Sequence, residues 1–140
     1  MQIQKKRVLL AAVLMVAQSA LIASAKDNIY APRVGSKERT AILRAVRQPV
    51  LKFNKVKYIT FTDVKLRSTR DWAYVDAHSV DSRGRRVGPD FTNELAALVR
   101  KQNGRWVVAE WAYATDVISM GWETKYPQVP KRLWPHNRNR

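Results

Sequence analysis

Asn103-Gly104 separates two runs of strand-forming residues, Asn93 to Gln102 and Arg105 to Thr115. Both central residues of a type I′ turn need positive φ, which Asn and Gly adopt at least cost, so the pair predicts a two-residue β-hairpin. A loop that short sets the register: Val99 faces Val108, Leu98 faces Ala109 and Ala97 faces Glu110. Upstream, Val56 to Leu66 is rich in β-branched and aromatic residues, and Asp71 to Val80 reads as a second strand. There Trp72, Tyr74, Asp76 and His78 share one face, and Ala73, Val75, Ala77 and Ser79 the other. Asp81 to Asp90, with two Gly, one Pro and three Arg, reads as the loop to the third strand.

A helix precedes these strands. Ser36 can cap it, and Glu38 lies in the first turn, where the helix dipole favours a carboxylate. Ile42, Val46 and Val50, joined by Leu43, form a stripe at helical spacing, with Arg39, Arg44 and Arg47 off it. The helix should run to about Gln48, where Pro49 ends or kinks it, with one further turn open to Val50–Phe53. After the fourth strand, Thr115 or Asp116 can cap a short turn through Met120. Pro127, Pro130 and Pro135 then predict extended coil, which the flanking Trp122 and Trp134 can pin onto the domain, closing in a basic tail from His136 to Arg140. The fold class expected is α+β, one N-terminal helix packed on a curled four-stranded antiparallel meander, in a cystatin-like or NTF2-like arrangement. A small closed barrel accommodates the long amphipathic segment less well.

The chain begins with a targeting pattern. Lys5, Lys6 and Arg7 are followed by an apolar run from Val8 to Ala17 and then by Ala23-Ser24-Ala25. That is the layout of a Sec-type secretory signal with cleavage after Ala25; Gln18, Ser19 and Ser24 weaken the alternative of a retained anchor. The organisation expected is a signal peptide over 1–25, an entry arm over 26–35, an α+β domain over 36–122 and a Pro-rich basic tail over 123–140. Of 26 basic residues, 23 then remain against 11 acidic ones, a net of +12 over 115 positions. With 46% hydrophobic residues and five Trp, this is no disordered polyelectrolyte. No Cys means no disulfide, thiolate metal site or thiol nucleophile, and an exported chain without Cys points to a bacterial periplasm.

One resemblance runs through the mature chain. It is carried by Glu38-Arg39-x-x-Ile42-Leu43-x-Ala45-x-Arg47, Trp72-Ala73-x-Val75, and Ala97-Leu98-x-Arg100-Lys101 leading to Gly104-x-Trp106-x-Val108. Thr115-Asp116-Val117 and Gly121-Trp122 complete it. The set resembles a family of small exported bacterial proteins. The Gly-x-Trp-x-Val step is similar to one found among NTF2-like proteins, which implies the same fold. It implies no catalytic residue.

Candidate chemistry is sparse. Asp76 and His78 lie two apart on one strand face, and a carboxylate beside an imidazole can act as an acid–base pair. Glu110 sits mid-strand between Ala109 and Trp111; with Trp106 and Val108 on the helix face the alternation puts it there too, where Arg44 or Arg47 would have to neutralise it. Both are weak catalytic candidates for a small NTF2-like enzyme, against the plainer reading of each as a structural polar residue. Two distant His and no spaced carboxylate loop give no metal site, and no phosphate-binding or dinucleotide motif implies a cofactor. The charge is the larger signal. Arg83, Arg85 and Arg86 in the long loop, with Arg100, Lys101 and Arg105 around the hairpin tip, are the candidate partner-binding residues. A Trp beside such cations also suits stacking on a sugar. The function expected is an exported binding or accessory protein for an anionic envelope component or an acidic protein, with an inhibitor or immunity role as one form. Nucleic acid has the right sign but the wrong compartment, and membrane contact is expected only through the signal segment. The oligomeric state is not fixed by the sequence.

Overall fold

The computed structural model describes residues 28–113 and 120–137. The expected signal segment, the expected turn capped by Thr115 or Asp116, and Arg138 and Arg140 lie outside them. The order is α1 (Lys37–Asn54), β1 (Thr60–Ser68), β2 (Trp72–Val80), β3 (Glu94–Gln102), β4 (Arg105–Tyr113) and the short α2 (Trp122–Lys125). The fold is α+β: one main helix on a four-stranded antiparallel sheet in the order β1-β2-β3-β4.

Ser36 caps α1 by accepting the Arg39 N–H at 3.2 Å, and Lys55 ends it in the left-handed region at φ 53°. Pro49 lies inside α1, which does not stop near Gln48. The extra turn is held by tertiary packing, because Ile42, Val46 and Val50 form one fully buried row against the sheet. The sheet residues beneath are small or aliphatic: Ala73, Val75 and Ala77 on β2, and Leu95, Ala97 and Val99 on β3.

The opposite sheet face is covered as well. Trp72, Tyr74, Ala96 and Leu98 pack against Trp122, Val129, Leu133 and Trp134. The tail is therefore not extended coil: α2 and two 3₁₀ turns, Lys131–Leu133 and Pro135–Asn137, fold it onto the sheet. Its prolines punctuate helical turns, and its aromatics supply the burial that an extended strand beside the sheet could not. Trp134 is fully buried, with its ring 6.1 Å from that of Tyr74; Tyr126 lies 6.0 Å from Trp72. The entry arm joins this layer through Ile29 and through a bridge in which Tyr30 and Ser68 exchange backbone hydrogen bonds.

Each edge strand carries one bulge. In β1, Asp63 and Val64 stand opposite Ala77 alone, with Asp63 at φ 51°. In β4, Val99 pairs with Val108 but Leu98 pairs with Glu110 and Ala97 with Trp111, leaving Ala109 extra. The expected hairpin register thus holds only as far as Val99–Val108. Beyond it, every β4 side chain changes face.

If the tail is a structural layer, Trp134→Ala should destabilise the fold by about 3–5 kcal/mol, as truncating a buried Trp does. Urea unfolding checks this; a loss below about 1 kcal/mol would mean that the tail merely drapes over the sheet.

Candidate functional site

The β4 bulge decides the role of Glu110. Trp106 and Val108 face α1, and after the bulge Trp111 and Tyr113 do so too. Glu110 is turned to the tail side, away from Arg44 and Arg47. Arg47 instead reaches over β1, with its guanidinium 5.8 Å from the Phe61 ring centre. Glu110 forms a salt bridge with Lys125 and accepts a hydrogen bond from the Tyr126 hydroxyl at 3.0 Å. The Lys125 hydrogen bond, more than the burial that opposes it, holds the Glu110 carboxyl below its ordinary range, and the same contact raises Lys125. This carboxylate is ionised and bound, and clamps α2 to the sheet.

Asp76 and His78 share the tail-side face of β2, as the alternation predicts. Tyr74 donates its hydroxyl to Asp76 Oδ1 at 3.0 Å. His78 Nδ1 lies 3.1 Å from Asp63 Oδ2, and its Nε2 lies 4.0 Å from Glu94 Oε2. Asp63, Lys65, Asp76, His78 and Glu94 line a groove of about 320 Å³. The bulge brings Asp63 in, which strict alternation along the strand does not anticipate. Among the described residues no group of three or more His, Asp or Glu side chains is placed to hold a metal ion.

The six candidate cations do not form one patch. Arg83, Arg85 and Arg86 lie beyond the end of β2, and the hairpin tip lies at its start, because Trp72 pairs with Arg100. Nine residues of strand separate the two, about 26 Å at ~3.3 Å per step. The loop group is also partly engaged. Arg85 Nε donates to Asp81 Oδ2 at 2.8 Å, while the backbone N–H groups of Arg83 and Arg85 donate to Asp81 Oδ1, each at 2.9 Å. Those backbone donors lead in holding the Asp81 carboxyl low. The hairpin group is split by strand alternation. Lys101 pairs with Trp106 on the α1 side, and its ammonium lies 5.5 Å from that ring centre; Arg100 and Arg105 fall on the other face.

Topology gives Lys101 different companions. Lys37 from the first turn of α1, Arg70 from the β1–β2 turn, and Lys101 line one open cleft of about 460 Å³ with Tyr30, Glu38 and Trp106. The Tyr30 hydroxyl donates to Glu38 Oε1, which lies 3.4 Å from Ser68 Oγ. Burial and the Glu38 carboxylate raise the Tyr30 pKa, so this hydroxyl stays a donor. Three cations against one engaged carboxylate leave the cleft positive, with two aromatic rings on its wall. Sequence reading missed Lys37 and Arg70, which stand 33 positions apart in an order that only the β1–β2 turn and helix packing bring together. Comparison of the chain with known protein families, with curated proteins and with solved structures gave no match.

A carboxyl with a depressed folded pKa adds stability above its unfolded value, about 4.3 for Glu, and loses it as pH falls toward the folded value. Glu110→Gln should therefore melt below the wild type at neutral pH, with the gap closing on acidification. Thermal melts across pH check this; a gap independent of pH would deny the charge–charge role.

Proposed function

We propose that this is a small exported binding or accessory protein that recognises an anionic envelope component, and that the Lys37–Arg70–Lys101 cleft is where it does so. The carrying observation is the convergence of three cations from three separate segments on one cleft that also presents Trp106 and Tyr30. Ammonium and guanidinium groups meet phosphate or carboxylate oxygens, Arg70 with the planar fork suited to two-point contact. An aromatic face beside them suits the apolar face of a sugar ring. The ligand class that combines both is an anionic saccharide, such as a phosphorylated envelope glycan or a peptidoglycan fragment. The net charge of the chain favours encounter with such partners over neutral ones. The leader pattern and the absence of Cys support a periplasmic setting. A helix laid across a four-stranded meander supports a cystatin-like or NTF2-like reading of the fold. An acidic protein partner, as for an inhibitor or immunity protein, would use the same sign of charge.

A second reading has one observation in its favour: His78 stands between Asp63 and Glu94 in a groove shared with Asp76, an arrangement that can move a proton. It would make the protein a small enzyme. Glu110, committed to Lys125 and Tyr126, supports it less.

The two readings separate on variants. Titration calorimetry with lipid-free phosphorylated oligosaccharide and with soluble peptidoglycan fragments should give salt-sensitive binding that falls at least about tenfold in R70E/K101E. H78Q should leave it unchanged. Binding that survives R70E/K101E, or that fails in H78Q, would overturn the cleft assignment.

A further inference from the structure

The end of the molecule away from the cleft combines exposed aromatic rings with cations. There α1 ends, β1 and β3 begin, and β2 and β4 end. Tyr113 joins these parts. Its hydroxyl lies 2.7 Å from Asn54 Nδ2, 2.9 Å from Ser79 Oγ and 3.3 Å from the Val87 carbonyl, and its ring centre lies 5.7 Å from that of Phe53. The helix end and the loop after β2 are thereby parts of one surface. From it project Phe53 and Tyr58, each 59% exposed, and Phe91, 75% exposed. Phe91 is held out by a turn in which the Thr92 N–H donates to the Pro89 carbonyl.

Single exposed apolar residues are ordinary on protein surfaces. Here the setting gives them meaning. Lys52, Lys55 and Lys57 alternate with Phe53, Val56 and Tyr58 along the chain, and all three lysines are exposed. Arg83 and Arg86, also exposed, extend the charge into the loop that carries Phe91. On the acidic side, Asp81 is engaged by Arg85, leaving Asp90 as the exposed carboxylate of that loop, while Asp63 and Glu94 at the same end flank His78 on the tail-side face. Separate rings interleaved with cations do not make the continuous apolar core that a protein partner buries. They match a bilayer interface, where rings settle at the level of the headgroups and basic side chains meet lipid phosphates.

We propose that this end docks on a bilayer surface carrying anionic phospholipid headgroups. The site is distinct from the cleft and does not depend on it. It departs from the sequence expectation that membrane contact is confined to the leader.

The chain has no Cys, so a single introduced thiol can be labelled cleanly. F91C, labelled with a polarity-sensitive fluorophore, would report from the docking end, and Q102C from the hairpin end. Both are read with vesicles of phosphatidylglycerol and phosphatidylethanolamine and with vesicles of phosphatidylcholine. Because each label senses its own surroundings, leader residues do not confound the reading. The F91C label should shift to the blue and be quenched by brominated lipid on the anionic vesicles only, while Q102C stays in water. In the F91C background, K55E/K57E should weaken the response at least about tenfold, and R70E/K101E should leave it intact. No response at F91C, an equal response on phosphatidylcholine, or insertion reported by Q102C would overturn the proposal. So would protection of F91C without lipid in a concentration-dependent dimer, which would assign this end to a second copy.

Discussion

The middle of the sheet is buried on both faces, and most of the architecture follows from that. β2 alternates Ala73, Val75 and Ala77 with Trp72 and Tyr74; β3 alternates Leu95, Ala97 and Val99 with Ala96 and Leu98. No face of such strands can be left to water, so the sheet needs two covers. The small side chains on one side let α1 approach closely. The large rings on the other need partners of their own, which Leu133 and Trp134 provide. The tail is thus a layer of the fold. Once it is in place, Lys125 and Tyr126 arrive at Glu110 and make a mid-strand carboxylate part of the scaffold.

The bulges of the two edge strands adjust the same packing and leave a trace in the sequence. In β4 the large residues facing α1 are Trp106 and Val108, then Trp111 and Tyr113: even positions change to odd. Along the first strand segment they are Ile59 and Phe61, then Val64 and Leu66, the reverse change. A strand without a bulge cannot place both pairs on one face, so the switch of parity was legible beside the hairpin signal. Strict alternation from Asn103-Gly104 overlooked it and put Glu110 on the wrong side. Bulged edges also twist and interrupt the free ladder, which discourages edge-to-edge pairing with another chain. The tail was misjudged for another reason. Trp122 and Trp134 do pin it to the domain, but its prolines outweighed the spacing of Tyr126, Val129 and Leu133 between them, which fits helical turns better than extended coil.

Function was less legible because it depends on convergence. The helix cap, the hairpin and the face of Asp76 and His78 are local facts, and local sequence carries them. The cleft is assembled from residues 37, 70 and 101, and the grouping of the last with Arg100 and Arg105 fails because neighbouring strand residues point to opposite faces. Net charge favours an anionic partner by sign alone and carries no information about where one would bind. In the folded chain cations gather at both ends of the strands, in the cleft at the hairpin end and interleaved with rings at the other. Toward that second end, on the tail-side face, Asp63, Asp76 and Glu94 line a groove with Lys65 and His78.

The central claim, that the cleft is the recognition site, is tested most directly by hydrogen exchange read by mass spectrometry, with and without lipid-free phosphorylated oligosaccharide. The account predicts slower exchange in the segments around Lys37, Arg70 and Lys101, with the loop of Arg83–Arg86 and the strand positions around His78 unchanged. Slowing confined to either of those latter regions would contradict it.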